Sequence, residues 1–309
     1  MNEKHVPVLS HEVIAVLNPK PGKNYIDATL GFGGHSELIL EATNPDGRLL
    51  GIDQDENALA YATERLKPYG ERFQAIQGNF SEIEELASDC KVTGGILADI
   101  GVSSVQLDEA ERGFSFSKPG PLDMRMDRSQ PLTAGEIVNT WEESKIMKII
   151  REYGEERFAN RITSHIVEAR TNGHIETTTE LAEIVASAIP RKFWPKGINP
   201  ATRTFQGLRI AVNDELTVLT RFLPAATNIL QPGARLAVIT FHSLEDRIVK
   251  NFMRERANPC TCPPQFPKCI CDKTADIKLV TKKPVAATET EISTNPRARS
   301  AKLRVIEKL

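Results

Sequence analysis

Short apolar runs alternate with amphipathic stretches over the first third of the chain. Four β-rich runs are predicted strands, at residues 25–29, 48–52, 73–76 and 95–99. The apolar spacing between them predicts helices over 36–42, 56–66 and 80–87. Three strand–helix units followed by a fourth strand are typical of a parallel, right-handed α/β sheet.

The pattern changes after about Val105. Residues 112–131 carry Gly, Pro and Ser without a clean period, which predicts a loop. Helices are expected from the capping box at 133–136, with an interruption at Gly154, then over 157–170, and from a second capping box at 177–180 to Pro190. The middle third is therefore expected to be mostly helical.

Sheet-like alternation returns near the end of the chain. We predict a helix over 214–230, a strand at 235–240, and last strands at 277–281 and 301–306 separated by a loop at 286–299. The expected organisation is an α/β domain formed by 1–107 and 207–309. A helical insertion at 108–206 interrupts it.

Bulk composition narrows the class of protein. Apolar residues make up 40% of the 309 positions, enough for a sizeable core. Lys plus Arg (39) nearly balance Asp plus Glu (41), so a nucleic-acid partner must be bound by a local patch. Because no apolar run approaches membrane-span length and the start lacks a secretory signal, we expect a cytoplasmic protein.

The turn Gly31-Phe-Gly-Gly-His-Ser36 follows a predicted strand and opens a helix. Glycines allow close backbone approach to a ligand, and a helix N-terminus offers amide donors. Asp53 ends the next strand about 20 residues later, where it can accept ribose hydroxyls. The alternative is a glycine turn with a purely structural role. The same geometry also serves NAD, but Ser36 stands where a dinucleotide fingerprint has its last glycine, which argues against NAD.

Two more side chains are expected at the carboxyl edge of the sheet. Phe80 follows the third strand and is either an adenine contact or a core residue. Asp99 ends the fourth strand and either reaches the amino end of a methionine moiety or caps a helix. The order and spacing of these elements favour an S-adenosylmethionine-dependent methyltransferase.

Long literal motifs extend this interpretation over essentially the whole chain. They are His5-Val-Pro-Val-Leu, Gly31-Phe-Gly-Gly-His-Ser36, Asp99-Ile-Gly-Val-Ser-Ser104 with Gln106-Leu-Asp, Arg112-Gly-Phe-Ser-Phe116, Gly120-Pro-Leu-Asp-Met-Arg-Met126, Tyr153-Gly-Glu-Glu-Arg157, Pro200-Ala-Thr-Arg-Thr-Phe-Gln206 and Phe241-His-Ser-Leu-Glu-Asp-Arg247. The chain resembles the bacterial MraW (RsmH) family. That family methylates the exocyclic N4 of a cytidine in the decoding region of 16S ribosomal RNA.

The resemblance implies a class I (Rossmann-like) methyltransferase sheet with an inserted helical, substrate-recognition domain, and S-adenosyl-L-methionine as cofactor. It also implies cofactor contacts at Gly33, Gly34, His35, Asp53, Phe80, Asp99 and Gln106. His35 and Gln106 enter this set through the resemblance alone. For His35, the alternative is a residue that merely starts a helix.

The cytosine amine is a poor nucleophile because its lone pair is delocalised into the ring. The protein must align it with the methyl group and accept its hydrogen bond. We expect Asp99 or a nearby backbone carbonyl as acceptor, with His242 and Ser243 as helpers; His242 is otherwise a hydrogen-bonded structural histidine. Other exocyclic-amine methyltransferases carry Asp, Asn or Ser followed by Pro-Pro and an aromatic residue after the fourth strand. This chain has Asp99-Ile-Gly-Val-Ser there instead. The residue that stacks on the base therefore stays open among Phe114, Phe116, Trp141 and Trp194, each of which is also a core candidate.

No acidic residue occurs between Glu183 and Asp214. The basic residues there are Arg191, Lys192, Lys196, Arg203 and Arg209, interleaved with Phe193 and Trp194. This mixture suits single-stranded or distorted RNA, which the resemblance implies is 16S ribosomal RNA, naked or within the small subunit. Substrate contacts are expected at Arg191, Lys192, Trp194 and Arg203 of this segment, and at Trp141. A solubilising surface is the alternative. A second basic segment, 295–304, either contacts RNA or fixes the last strand.

Four of the five cysteines fall within twelve residues: Cys260, Cys262, Cys269 and Cys271. Four thiolates suit structural zinc, although zinc pairs usually have two or more residues between them. Reduced thiols and disulfides are the alternatives.

Two other functions stay open, and so does the choice between monomer and homodimer. The first is an RNA-binding or assembly factor without turnover, and the second is a methyltransferase for small molecules or proteins.

Overall fold

The computed structural model describes residues 7–195, 197–263 and 270–309. The chain forms two compact units, Met1–Gly101 with Leu216–Leu309, and Val102–Glu215. The boundaries expected at 107/108 and 206/207 both fall inside the second unit. Sequence periodicity does not reveal this, because Phe205, Leu208 and Val212 belong by packing to the core of the second unit.

The first unit contains one mixed sheet, whose described strands are β1 (Asn24–Asp27), β2 (Arg48–Asp53), β3 (Phe73–Gln77), β4 (Gly95–Asp99), β5 (Arg235–Thr240), β6 (Ile277–Leu279), β7 (Val285–Ala286) and β8 (Lys302–Lys308). The spatial order is β3-β2-β1-β4-β5-β8-β6, with β7 also paired to β8. The first five strands are parallel, and β8 is antiparallel to its neighbours. This order confirms the expected class I methyltransferase sheet.

The described helices are α1 (Ser10–Leu17), α2 (Gly34–Ala42), α3 (Glu56–Leu66), α4 (Ile83–Leu86), α5 (Ser104–Asp108), α6 (Ala134–Thr140), α7 (Glu143–Glu152), α8 (Ala159–Asn172), α9 (Thr178–Ala188), α10 (Thr202–Asn213), α11 (Glu215–Ile229), α12 (Ser243–Ala257) and α13 (Glu289–Thr294). Short 3-10 helices lie at Lys67–Arg72, Phe80–Glu82, Ala110–Arg112, Arg191–Phe193 and Pro296–Ser300. None of the helices in the described ranges is both long and apolar enough to span a bilayer.

One expectation about the connections was wrong. The segment 286–299 is not a loop, because it contains α13. The Thr288 hydroxyl accepts a 3.2 Å hydrogen bond from the backbone N–H of Glu291, which caps the helix. The Thr-x-x-Glu spacing was a readable helix-start signal.

Each face of the sheet packs on its own apolar cluster. Ile96 and Leu97 are neighbours in β4, yet they belong to different clusters because successive strand side chains point to opposite faces. On one face Ile96 packs with Phe222 of α11, and on the other Leu97 packs with Ile39 of α2. Burial on both faces explains why these strands are almost continuously apolar.

The second unit is helical and has a separate core formed by α6 to α10. The Thr133 and Thr177 hydroxyls accept hydrogen bonds from Glu136 and Glu180 backbone N–H groups, so both predicted capping boxes start helices, α6 and α9. The helical stretch predicted after Thr133 is divided at Trp141, where the backbone is extended, into α6 and α7.

Candidate functional site

A glycine turn connects β1 to α2. Gly31 and Gly33 have positive φ values of 50° and 74°, a region that glycine enters without strain. A Cβ on Gly33 would lie 3.1 Å from Cδ1 of Leu66, so α3 also limits this position. Gly33 caps α2, and the first N–H groups of a helix have no acceptor within it. The N–H of Gly33 itself is donated to the Leu30 carbonyl oxygen at 2.8 Å, so the backbone donors that this turn can offer to a ligand begin at Gly34. The cofactor contacts expected at Gly33 and Gly34 stay predictions.

Asp53, the last residue of β2, is tied to this turn. Its Oδ2 accepts a 2.8 Å hydrogen bond from the N–H of Gly31, and its Oδ1 accepts one of 2.9 Å from Asp55. Burial raises the pKa of Asp53 to about 6, against the lowering effect of these two N–H groups. Each carboxylate oxygen has a second lone pair, which can accept a hydrogen bond from a ribose hydroxyl.

Asp27, the last residue of β1, is a buried site residue that the sequence interpretation missed. Its Oδ2 accepts a 2.7 Å hydrogen bond from the Ser36 hydroxyl, and its Oδ1 accepts one of 3.3 Å from the N–H of Thr29. Burial raises the pKa of Asp27, while the Ser36 hydroxyl lowers it. The available signal was an acidic residue at the end of a buried strand, directly before a glycine turn.

His35 and Asp99 form the polar centre of the first unit. Nε2 of His35 lies 3.7 Å from Oδ2 of Asp99, and His35 is only 7% exposed. Within the described residues, neither ring nitrogen of His35 nor Oδ1 of Asp99 has a hydrogen-bond partner. A buried polar atom without a partner costs about 1–3 kcal/mol, so these atoms fit a polar ligand. The cofactor contacts expected at His35 and Asp99 stay predictions.

Phe80 follows β3 and is partly buried. Its ring packs edge-on against Phe222, with ring centroids 5.0 Å apart. The preceding Asn79 donates a 3.1 Å hydrogen bond from Nδ2 to Oε1 of Gln54, which links the loops after β3 and β2. Phe80 thus has a core contact, and its adenine contact stays a prediction.

Gln106 lies in the second unit and is 6% exposed. It forms a capping box with Ser103: the Ser103 hydroxyl accepts the Gln106 N–H at 3.2 Å, and Oε1 of Gln106 accepts the Ser103 N–H at 3.0 Å. The Gln106 side chain therefore helps to cap the N-terminus of α5. Its predicted cofactor contact is not tested by this geometry.

His242 caps α12 at its N-terminus. Its Nδ1 accepts a 3.5 Å hydrogen bond from the N–H of Glu245, whose Oε2 accepts from the N–H groups of Phe241 and His242 at 2.8 and 3.1 Å. Glu245 is completely buried, and its Oε1 lies 3.0 Å from Nε2 of His242. This geometry makes His242 a hydrogen-bonded structural histidine. The helper roles of His242 and of Ser243, the first residue of α12, stay predictions.

The second unit carries a surface where cations lie over aromatic rings, here called the basic-aromatic surface (Arg157, Phe158, Arg191, Lys192, Phe193 and Trp194). The Arg157 guanidinium lies 4.7 Å from the Phe158 ring centroid and 4.5 Å from that of Phe193. Lys192 Nζ is 5.0 Å from the Phe193 ring. Phe193 and Trp194 are 41% and 39% exposed, unusually high for large aromatic residues.

Two further basic residues of the predicted segment differ in environment. Arg203 is exposed and donates a 3.2 Å hydrogen bond to the Glu155 carbonyl oxygen. Arg209 forms two hydrogen bonds to Glu215, of 2.8 and 2.9 Å, so its charge is compensated. Lys196 lies outside the described residues.

The other aromatic candidates pack with the core of the second unit. Phe114 is buried, and Phe116 packs edge-on against Phe205 with centroids 4.7 Å apart. Trp141 is partly buried beside the same core. Of the four stacking candidates, Trp194 offers the most exposed ring, although its Nε1 donates a 2.9 Å bond to the Ile189 carbonyl oxygen.

The second basic segment contributes to the sheet. Arg304 in β8 donates hydrogen bonds of 2.7 and 3.2 Å to the two carboxylate oxygens of Asp246 in α12. Lys302 lies 3.4 Å from the same carboxylate. Arg304 and Lys302 therefore help to fix the last strand, which is one of the two roles expected for this segment.

The Sγ atoms of Cys260, Cys262 and Cys271 lie within 4.8 Å of one another. Cys269 lies outside the described residues. No disulfide occurs among the described cysteines.

The family model described as the MraW methylase family matches residues 2–309. Ribosomal RNA small subunit methyltransferase H of Geobacter sulfurreducens is 54% identical over 311 residues, covering 100% of both chains. The protein of the same name from Symbiobacterium thermophilum is 54% identical over 307 residues, covering 99% of this chain and 96% of its own. A solved SAM-dependent O-methyltransferase from Thermotoga maritima has 10% identity and a TM-score of 0.42, covering 97% of this chain and 64% of its own. The chain belongs to the MraW methylase family and is a methyltransferase that uses S-adenosylmethionine as its methyl donor.

Proposed function

We propose that this chain methylates the exocyclic N4 of a cytidine in the decoding region of 16S ribosomal RNA. The names and full-length identity of its relatives support an RNA of the small subunit as substrate. The observation that carries the catalytic part is the pair formed by the buried His35 and the partly buried Asp99. Both ring nitrogens of His35 and Oδ1 of Asp99 lack hydrogen-bond partners within the described residues. A ribosomal substrate makes the cytoplasm the proposed place of action.

Each end of the cofactor has a proposed partner in the first unit. Asp53 accepts the ribose hydroxyls, while Gly33, by lacking a side chain, lets the cofactor approach the backbone and the N–H of Gly34 donates to its polar groups. Asp99 accepts hydrogen bonds from the ammonium group, and His35 donates to the carboxylate. Phe80 contacts the adenine, and Gln106 is the further cofactor contact that the family resemblance implies. When bound, the cofactor supplies an electrophilic methyl group on a sulfonium.

The protein's own contribution to methyl transfer is alignment and hydrogen bonding. Because the N4 lone pair is delocalised, the amine must be held in line and must lose a proton as its new bond forms. The proposed acceptor is Asp99 or a backbone carbonyl directly after β4, with His242 and Ser243 as helpers. Reaching the base also requires the cytidine to leave its stack.

The second unit is proposed to recognise the RNA. Arg191, Lys192 and Arg203 contact phosphates, and the exposed rings of Phe193 and Trp194 stack on splayed bases, with Trp141 as a further candidate. The cation–ring contacts at Arg157 and Lys192 support this assignment, because they keep positive charge and flat apolar surface together.

The decisive experiment measures transfer of labelled methyl from S-adenosylmethionine to naked 16S ribosomal RNA and to assembled small subunits, with large-subunit RNA as control. Incorporation into either small-subunit substrate, and not into the control, supports the proposal. Cofactor binding without incorporation supports an RNA-binding or assembly factor. Incorporation into protein or small metabolites alone would replace RNA as the substrate class.

A further inference from the structure

The described part of the segment between α12 and β6 contributes no residue to an apolar core. The segment spans residues 258–276, and none of its described members, 258–263 and 270–276, is buried. Ile270 is 68% exposed. Apolar packing therefore does not determine the conformation of these described residues, and they need another source of order.

Ion pairs hold the base of this segment. Arg256, near the end of α12, donates hydrogen bonds of 2.9 and 2.7 Å to the two carboxylate oxygens of Asp276. Lys308 in β8 donates a 2.9 Å bond to the same carboxylate. These contacts bring the two ends together but do not reach the cysteines.

The cysteines nevertheless converge. Although Cys262 and Cys271 are separated by eight residues, the Sγ atoms of Cys260, Cys262 and Cys271 lie within 4.8 Å of one another. The backbone N–H of Ile270 donates a 3.3 Å hydrogen bond to Sγ of Cys262, the kind of contact that stabilises a thiolate. Tetrahedral zinc with Zn–S distances of about 2.3 Å places its sulfur ligands about 3.8 Å apart.

We propose that Cys260, Cys262 and Cys271 are three ligands of a structural Zn²⁺ ion that orders the segment between α12 and β6. The metal supplies the order that apolar packing does not: it ties the Cys260–Cys262 pair to Cys271 and disperses the charge of three thiolates. The fourth ligand is a further protein group or water. The site is independent of the methyl-transfer chemistry, so it stands or falls separately from the proposed function.

The test is the zinc content of the untagged, full-length protein, purified in reductant and analysed by plasma mass spectrometry. About one equivalent per chain is expected. Cys260→Ser, Cys262→Ser and Cys271→Ser should each lower the content severalfold. Cys90→Ser is the matched control, because Cys90 packs beside the sheet core and should leave the zinc content unchanged. Less than half an equivalent in the zinc-supplemented parent protein, or full retention in a Cys260→Ser/Cys262→Ser variant, would overturn the proposal.

Cobalt substitution separates a lost site from a misfolded variant. Co²⁺ in a tetrahedral thiolate site gives intense d–d bands and a sulfur-to-metal charge-transfer band, which the parent and Cys90→Ser should show and the three cluster variants should lose. Circular dichroism checks that every variant is folded. An octahedral, pale cobalt spectrum in the folded parent protein would contradict the site, as would disulfides among these cysteines in reductant.

Discussion

The hydroxyl of Ser36 donates a 2.7 Å hydrogen bond to Oδ2 of the buried Asp27. Ser36 occupies the position where a dinucleotide-binding fold needs its third glycine for close helix–strand packing. Here the helix start instead carries a side chain that satisfies a carboxylate at the end of β1. The departure from the dinucleotide fingerprint thus has a structural reason.

Ser36→Ala should destabilise the protein by about 1–3 kcal/mol, since it leaves a buried carboxylate oxygen without its hydroxyl donor. Urea unfolding measures the loss. Ser293→Ala is a suitable control, because that residue is exposed on α13 and its hydroxyl donates to the nearby Thr290 carbonyl oxygen. Equal unfolding free energies for parent and Ser36→Ala would show that Asp27 does not depend on this bond.

Cofactor affinity should fall as the pH drops below about 6. The pKa of Asp53 is raised to about 6, so acid converts it to the neutral form, a weaker acceptor for ribose hydroxyls. The loss should not exceed roughly tenfold per pH unit. Because a raised carboxyl pKa favours the protonated native state, Asp53 makes folding of the ligand-free protein less favourable as the pH rises from about 4 to 6.

Titration calorimetry between about pH 5 and 8 measures this dependence. Asp53→Asn should bind S-adenosylmethionine more weakly at neutral pH and lose the Asp53 contribution to the pH profile. If Asp53→Asn kept the parent's affinity at neutral pH and the same loss of affinity at acid pH, Asp53 would have no role at the ribose.

Asp99→Asn should raise the Kd for S-adenosylmethionine roughly 10- to 100-fold, the loss expected for a hydrogen bond to a charged group. Asp89→Asn, an exposed acid outside the site, is the control. A fall in kcat at saturating cofactor would assign Asp99 to the amine proton as well. An unchanged Kd would remove Asp99 from the ammonium contact.

Two substitutions separate charge from stacking on the basic-aromatic surface. Lys192→Ala should reduce the slope of log affinity against log salt by about 0.7 to 1, whereas Phe193→Ala should weaken RNA binding by about 1–3 kcal/mol with the slope retained. Lys148→Ala, an exposed lysine on α7, controls for net charge. Identical salt slopes and affinities in all three variants would place the RNA elsewhere.

Asp276 should contribute to acid stability. Hydrogen bonds from Arg256 lower its pKa to about 2, with Lys308 acting in the same direction. Its stabilising contribution is therefore present above about pH 4 and is lost as the pH falls towards 2. Asp276→Asn should lower the melting temperature at neutral pH and flatten the profile over that interval, while Asp89→Asn should not. Parallel profiles for all three proteins would contradict the ion pair.

Local patterns predicted most of the sheet. The strands at 48–52, 95–99 and 235–240 and the glycine turn were readable because burial and turn chemistry leave marks within a few residues. Long-range partnerships were not readable. Nothing near Arg304 in the sequence indicates Asp246, 58 positions away, and nothing near Arg157 indicates the ring of Phe193.

Two helix starts, at His242 and at Thr288, were not recognised in the sequence. His242 attracted a catalytic hypothesis because it follows β5, yet its Nδ1 caps α12 together with Glu245. A histidine is an uncommon cap, and Ser, Thr, Asp and Asn are the residues that normally signal one. The missed helix α13 carried the ordinary Thr-x-x-Glu signal within a segment otherwise interpreted as a loop.

The most direct test of the central claim is nucleoside mass spectrometry of 16S ribosomal RNA after reaction with the protein and methyl-labelled cofactor. The account predicts label in N4-methylated cytidine, at a single decoding-region position, with much less label when Asp99→Asn replaces the parent. Label only in a ring-carbon, ribose or purine product, or no label with cofactor bound, would contradict it.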